Sequence, residues 1–252
     1  MKNLFRQISV IVTVLATIVI NVLANVLPIN GLNTGAISDA FHVYFVPAGY
    51  VFSIWGIIYI GLIAYTVFQA LPSQKENPRL QATGWWVVLG GLANSAWIFL
   101  WHFEQFVGTL GAMLILLATL IAIYLRMGIN QFKVSTGETW AVRVPFSIYL
   151  GWITVATIAN FTDVLDYIGW NQFGISAAVW MVIILAAVVV ISGLMNFLRR
   201  DVAFAVVLLW ALAGIAVKFP AEGIVTLATW VTFGLVAITL AAAFLVKPSR
   251  TK

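Results

Sequence analysis

The sequence predicts an all-α protein, a polytopic membrane bundle of eight transmembrane helices. Of its 252 residues, 63% are hydrophobic and only 8% are charged, whereas about a quarter of the residues in a soluble domain carry a charge. The mean hydropathy is +1.05. Eight apolar segments reach the length of about 17 to 25 residues that a bilayer crossing needs. Each must be a helix, because lipid would leave the backbone groups of an open strand unpaired.

The first apolar segment, residues 8–27, follows Lys2 and Arg6. A basic start before an apolar run is also typical of a secretory signal peptide. The run is longer than a usual signal-peptide core and no small-x-small cleavage site follows it, so a retained helix is favoured over cleavage. Asn21 and Asn25 lie on one helical face and are expected to point into the bundle.

The second segment, residues 47–70, is uncharged and rich in aromatic residues. The third and fourth, residues 83–101 and 106–126, lie between short polar turns, and the polar stretch GINQFKVSTGET leads to the fifth, residues 141–161. Each of these segments is long enough to cross a bilayer as a helix.

The last three segments are residues 173–197, 202–218 and 223–246. Arg199, Arg200 and Asp201 separate the sixth from the seventh, and a short turn containing Pro220 and Glu222 precedes the eighth. The seventh is the shortest and lies at the lower limit for a crossing helix.

The distribution of charge predicts the orientation. If the N-terminus is cytoplasmic, 12 of the 13 Lys and Arg residues fall in cytoplasmic segments, and only Lys218 does not. The 12 are Lys2, Arg6, Lys75, Arg79, Arg126, Lys133, Arg143, Arg199, Arg200, Lys247, Arg250 and Lys252. This bias is the one that the positive-inside rule describes. The sequence therefore predicts an integral membrane protein with both termini on the cytoplasmic side, and the net charge of +5 needs no nucleic-acid partner.

Several functional classes are disfavoured. The chain has no cysteine, and its two histidines, His42 and His102, make a metal site improbable. No ionisable residue lies near the middle of a predicted span, which argues against an ion-coupled pump but not against a facilitator for a neutral solute. No phosphate-binding loop, HExxH motif or Ser–His–Asp arrangement is present. We therefore expect no catalytic residues and no metal.

Polar and aromatic residues at helical spacing form the candidate binding site. Trp55 and Tyr59 share a face of the second span. Asn94 and Trp97 lie one turn apart in the third span, and the fifth span carries Tyr149, Trp152 and Asn160 on one rough face. Each asparagine alone is explained by an interhelical hydrogen bond. Together, the three spans present the mixture of apolar walls and few polar groups that a ligand pocket requires.

The same residues resemble the motifs of the TspO/translocator protein family, the tryptophan-rich sensory proteins of bacteria. Pro47, Trp55 and Tyr59 match P-x7-W-x3-Y of that family's second span, and Asn94 and Trp97 match N-x-x-W of its third. The pattern Y-x-x-W-x3-A-x3-N of its fifth span is matched by Tyr149, Trp152, Ala156 and Asn160. The resemblance covers residues 8–162.

This resemblance implies a five-helix pocket that binds tetrapyrroles such as porphyrin or haem, lipids including sterols, and aromatic ligands. It implies that Pro47, Trp55, Tyr59, Asn94, Trp97, Tyr149, Trp152 and Asn160 contact the ligand, with a sensory, regulatory or tetrapyrrole-handling role. No cofactor is required, although a porphyrin or haem is a possible ligand. The alternatives are a transporter of a small neutral or lipidic solute and, third, a porphyrin-degrading enzyme. His102 or His42 is then a candidate axial ligand, although a lone histidine at the membrane interface is more often simply solvated.

The sequence also departs from the family pattern. The stretch before the second span, FHVYFVP, retains only Pro47 of the usual prolines, and Ile148 replaces a proline of the fifth span. The stretch NFTDVLDYIGW lacks the basic residue of the sterol-associated pattern.

The chain is predicted to consist of a TspO-like part, residues 1–165, and an extension that contains the last three spans, residues 166–252. The extension holds Trp180, Trp210 and Trp230 but no polar group comparable to Asn94 or Asn160, and its seventh and eighth spans share a loose pattern with the third and fourth. We expect it to be a lipid-facing or dimer-forming buttress, or to replace the partner subunit of shorter family members, which favours a monomer. Gly193, Gly214 and Gly234 are predicted points of close helix approach.

Overall fold

The computed structural model of the protein describes residues 2–27 and 29–246, without the side chain of Lys2. These residues form eight long α-helices: α1 (Lys2–Val26), α2 (Ile54–Ala70), α3 (Pro78–His102), α4 (Phe106–Arg126), α5 (Val144–Tyr167), α6 (Ala177–Arg199), α7 (Val202–Lys218) and α8 (Gly223–Leu245). Short helical turns lie between them at Ile29–Gly31, Thr34–Ser38, Gly49–Ser53, Pro72–Gln74, Thr136–Glu138 and Gln172–Gly174, and the π-helical turn Thr139–Arg143 leads into α5. No strand occurs in this part of the chain, and the predicted all-α class is confirmed.

Seven helices of the described chain are long and apolar enough to cross a membrane. The eighth, α7, is apolar but has only 17 residues, which is the lower limit for a crossing. Every predicted span therefore corresponds to a helix, and the protein is an integral membrane protein. Three of the basic residues assigned to the cytoplasmic side, Lys247, Arg250 and Lys252, lie outside the described residues.

Hydrogen-bonded caps set some helix ends away from the predicted limits. Helix α3 begins at Pro78 instead of residue 83, because the Asn77 side chain accepts a hydrogen bond from the Arg79 N–H. Helix α6 begins at Ala177, where the Ser176 hydroxyl accepts one from Val179. The start of the second predicted span is not α-helical: Pro47 precedes the 3₁₀ turn Gly49–Ser53.

Two compact units are formed by the described residues. The first comprises the chain before Tyr44 together with Phe52–Trp170, and so contains α1–α5. Its helices form a closed ring in which α1 packs on α2, α2 on α5, α5 on α4, α4 on α3, and α3 on α1. This order brings the aromatic residues of α2 and α5 next to the amide groups of α1 and α3.

Glycines of the ring allow its helices to approach closely. A Cβ atom at Gly91 would lie 2.6 Å from the Thr13 side chain of α1, and one at Gly61 would lie 2.8 Å from Pro145. The predicted contact glycines Gly193 and Gly234 are different, because a Cβ atom at either would meet nothing within 4 Å. The prediction was wrong for these two, since the sequence shows a small residue but not the face that its neighbour occupies.

The second unit comprises Tyr44–Val51 and the described residues from Asn171 onward. Its helix α8 packs against both α6 and α7. The predicted division after residue 165 assigned Tyr44–Val51 to the first part, whereas the structure groups this segment with α7. The backbone N–H of Ala48 donates to the Gly214 carbonyl at 3.2 Å, and the Trp210 indole donates to the Val51 carbonyl at 3.1 Å. The third predicted contact glycine, Gly214, is therefore a true close approach, with Val51 against it.

Polar contacts also hold this second unit. The Tyr44 hydroxyl donates to the Glu222 carboxylate at 3.2 Å, and loss of hydration together with that negative charge raises the pKa of Tyr44. Asn196 of α6 is completely buried and donates to the Thr239 hydroxyl of α8 at 3.0 Å. The expectation that the last three helices lack an amide comparable to Asn94 was wrong, because Asn196 lies close to the end of its predicted span.

Candidate ligand-binding site

An aromatic cluster, defined by Phe52, Trp55, Tyr59, Tyr149 and Trp152, joins the start of α2 to α5 in the first unit. Trp55 stacks on Tyr59 with ring centroids 5.7 Å apart and meets Trp152 edge-on at 6.3 Å. Tyr149 packs edge-on against Trp55 at 5.9 Å, and Phe52 packs against Trp152 at 5.7 Å. The helical spacings that selected four of these residues also place them side by side. Phe52 carries no motif signal and was not predicted.

Asn94 connects the aromatic cluster to α1 and α3. It is buried, and its amide nitrogen donates to the Tyr149 hydroxyl at 3.1 Å. Its side-chain oxygen accepts a hydrogen bond of 2.6 Å from Asn21, which also donates to the Thr17 carbonyl. Asn21 therefore points into the bundle as predicted. Asn25 is exposed, contrary to the prediction, and its amide donates back to the Asn21 carbonyl.

Trp97 and Asn160 form a second group. The Trp97 indole donates to the Asn160 side-chain oxygen at 3.2 Å, and the Asn160 amide donates to the Thr109 hydroxyl at 2.8 Å. Trp97 also stacks on Trp101 at 5.0 Å. Asn160 follows Trp152 by eight residues, which is roughly 12 Å along a helix. The predicted site residues of the first unit thus lie in two groups at different heights.

Pro47, the remaining predicted ligand contact, belongs to the second unit. Pro47 is buried, and a Cβ atom built at Gly214 would lie 3.3 Å from the Cβ atom of Pro47. The motif linked Pro47 to Trp55 only by their separation along the chain. In the structure, Pro47 belongs to the second unit and Trp55 to the first.

The indole nitrogen of Trp152 is the exception in this hydrogen-bonded site. Trp152 is 2% exposed, and its Nε1 atom is buried without an acceptor among the described residues. The indoles of Trp97 and Trp101, by contrast, both donate, to Asn160 and to the Thr34 carbonyl. Buried polar groups are almost always paired, so this unpaired donor distinguishes Trp152 from the indoles of Trp97 and Trp101.

A small cavity lies inside the ring beside Tyr149. Its volume is about 20 Å³, and its walls include Val14, Leu62, Val87 and Phe146. This volume admits about one water molecule, whereas pockets for drug-sized ligands measure about 300–1,000 Å³. A flat aromatic ligand therefore needs side chains of the cluster to move.

The side chain of His102 is already engaged in hydrogen bonds within the chain. His102 is 1% exposed, its Nδ1 atom lies 3.0 Å from the Ile29 carbonyl, and its Nε2 atom lies 3.1 Å from the Thr34 hydroxyl. A carbonyl only accepts, so Nδ1 donates to Ile29, and Nε2 forms a hydrogen bond with the Thr34 hydroxyl. The expectation that a lone histidine is solvated was wrong for His102, which ties the loop after α1 to the end of α3. Within the described residues no group of three or more His, Asp or Glu residues could hold a metal ion.

Buried basic residues at the other end of the ring were missed as structural features. We interpreted Arg6, Arg79 and Arg143 from the sequence only as indicators of membrane orientation. In the structure, Arg6 is 3% and Arg143 is 4% exposed. Arg79 donates to both carboxylate oxygens of Glu138, at 2.9 and 2.5 Å, and Arg143 donates to the Phe132 carbonyl at 2.7 Å. The burial of Arg6 could have been predicted from the sequence. Arg6 lies one helical turn before Val10, on the same inward face of α1.

Comparison with protein-family models matches residues 7–245 to the family described as TSPO-like protein. The match runs through α6, α7 and α8, so the resemblance is not limited to residues 8–162 as the motifs indicated. Comparisons with curated proteins and with solved structures give no match.

Proposed function

Because the chain belongs to the TSPO-like protein family, we propose that it binds a hydrophobic aromatic ligand at the aromatic cluster. This ligand is either a tetrapyrrole, such as a porphyrin, or a lipid. The observation that carries this proposal is the buried, unpaired indole N–H of Trp152. A buried donor without an acceptor costs about 1–3 kcal/mol, and a carbonyl, carboxylate or ring nitrogen of a ligand would remove that cost.

The surroundings of Trp152 suit a flat apolar molecule. Aromatic rings prefer offset-stacked or edge-to-face partners, and Trp55, Tyr59 and Phe52 provide both kinds of surface. Trp55 and Tyr59 are only partly buried, so they are the side chains of the cluster that can turn aside to admit a ligand next to Trp152. Ligand binding then moves tryptophan rings, which makes tryptophan fluorescence a direct report of binding.

The test is a fluorescence titration of the purified protein with a porphyrin. We expect micromolar affinity for the wild-type chain and a loss of about tenfold in the Trp152→Phe variant, which keeps an aromatic ring but removes the N–H donor. The matched control is Trp230→Phe in α8, where the tryptophan is 45% exposed and lies outside the first unit. Equal affinity of the Trp152→Phe variant and the control would contradict the proposed site.

The role that fits such binding is sensory, regulatory or tetrapyrrole-handling, without turnover and without a required cofactor. Transport of a small neutral or lipidic solute and oxidative degradation of a porphyrin are the competing functions. Proteoliposomes loaded with porphyrin separate the three. Binding without loss of the porphyrin and without flux supports a sensor, disappearance of the porphyrin spectrum indicates an enzyme, and efflux indicates a transporter.

We further propose that the protein is a monomer surrounded by membrane lipid, in a bacterial cytoplasmic membrane with both termini inside. The described part of the chain already provides eight helices, and Asn196 joins two of the last three internally. The mass of the detergent-solubilised particle in native mass spectrometry checks the first point. A stable two-chain particle would contradict it.

A further inference from the structure

Arg6 is a buried cation that has no counter-ion among the residues that the structure describes. Its side chain is on the inner face of α1, and all three of its guanidinium nitrogens are buried without a hydrogen-bond acceptor among the described residues. A charge placed in this way is costly unless an anion pairs with it. The guanidinium of Arg6 therefore lacks the anionic partner that would offset the cost of its burial.

The neighbours of Arg6 supply space but no negative charge. A Cβ atom at Gly84 of α3 would lie 2.6 Å from Arg6 Cδ, so the arginine stem lies where a side chain would otherwise be. On α2, the nearby polar group is the neutral hydroxyl of Tyr65. Gln7 and Gln69 bond to each other's backbone carbonyls and do not bond to Arg6.

The acids at this end of the ring are already engaged. Both carboxylate oxygens of Glu138 accept hydrogen bonds from Arg79, and Arg143 lies 3.9 Å from the same carboxylate. Glu76 is exposed and accepts hydrogen bonds from Asn3. Within the described chain, the buried groups at this end thus carry an excess of positive charge.

We propose that the guanidinium of Arg6 binds the phosphate of an anionic membrane lipid. Arg6 lies two positions before Ile8, the start of the apolar run of α1, and this places it at the depth where hydrocarbon ends and lipid phosphates begin. A planar guanidinium matches a phosphate in two parallel hydrogen bonds, and basic pockets between membrane helices are known to hold lipid head groups.

The test is native mass spectrometry of the delipidated full-length protein with phosphatidylglycerol, phosphatidylcholine or inorganic phosphate. We expect the first phosphatidylglycerol to bind the wild-type chain about tenfold more tightly than phosphatidylcholine, and Arg6→Gln to lose this preference. The control is Arg126→Gln, which removes the same charge from an exposed arginine at the end of α4. It should keep the preference.

A second measurement protects the test against a variant that does not fold. Phosphatidylglycerol should raise the thermal unfolding midpoint of the wild-type chain, and Arg6→Lys, which keeps the charge but lacks the planar fork, should respond less. Equal responses of the wild-type, Arg6→Gln and Arg126→Gln proteins would overturn the proposal, with water alone then satisfying Arg6. Stabilisation by inorganic phosphate as large as that by phosphatidylglycerol would overturn the assignment to a lipid. This inference is independent of the proposed function, because porphyrin titration of the Arg6 variants reads the other site.

Discussion

At the scale of single residues, Asn94 is the centre of the hydrogen-bond network that joins α1, α3 and α5. Its amide bonds both to Asn21 and to Tyr149, and each interhelical hydrogen bond of this kind contributes roughly 0.6–2 kcal/mol in a membrane. We expect Asn94→Ala to lower the free energy of unfolding by about 1–3 kcal/mol, measured as a lower thermal midpoint in detergent.

The control for this prediction is Asn25→Ala. Asn25 is exposed, and among the described residues its side chain bonds only within its own helix, so its removal should change stability by no more than about 0.5 kcal/mol. If both variants lost the same stability, the interhelical network would not be the cause.

How far single residues could be predicted depends on where their contacts are made. Trp55 and Tyr59 are neighbours on one helix, so their spacing alone predicted a contact that the structure contains. The surroundings of His102 and of Arg6 are formed by other helices and loops. The spacing of residues along one helix does not describe them. Both were interpreted from the usual behaviour of their residue type at a membrane interface, and both are buried. The unpaired state of Trp152 Nε1 was equally out of reach, because it depends on every neighbour of the indole.

At the scale of elements, the contact between α1 and α3 depends on the lack of a side chain at Gly91. An alanine Cβ there would lie 2.6 Å from Thr13 Cγ2 and 2.9 Å from Thr17 Oγ1, which forces the two helices apart. We expect Gly91→Ala to destabilise the protein by about 1–3 kcal/mol. Thermal unfolding in detergent measures the loss.

Gly193→Ala is the matched comparison for Gly91→Ala. A Cβ atom at Gly193 meets nothing within 4 Å, and alanine is the better helix former by up to about 1 kcal/mol. The variant should be as stable as the wild-type protein or slightly more stable. Destabilisation equal to that of Gly91→Ala would show that α6 has a close neighbour that the contacts of its own unit do not include.

Hydropathy predicted the existence of all eight helices but not their ends. An apolar run identifies the residues that can face lipid, whereas caps such as Asn77 and Ser176 decide where the helix starts. The segment before α2 shows a stronger limit. Residues near Pro47 are as apolar as a helix core, yet they form an irregular stretch and a 3₁₀ turn that bond to Gly214 and Trp210. Only the position of α7 determines that arrangement.

At the scale of the whole molecule, the family match runs from residue 7 to residue 245 and includes α6, α7 and α8. The motifs with tryptophan and asparagine lie in the first five helices, so the sequence motifs alone indicated a five-helix protein with an extension. Apolar helices without such motifs look alike. The last three helices are therefore part of what defines this family match, although their residues carry no recognisable ligand-binding pattern.

Membrane orientation can be tested in this chain without removing any native thiol, because it has no cysteine. We expect a membrane-impermeant maleimide to label Ile168→Cys and Ala221→Cys in intact bacterial cells, and to label Ser73→Cys and Gln131→Cys only after permeabilisation. All four positions are exposed between helices and none carries a charge that directs insertion. The reverse pattern would mean an inverted protein. Protection of Ala221→Cys alone would mean that α7, with its 17 residues, does not cross the bilayer, since Ala221 would then remain on the side of Arg199 and Arg200.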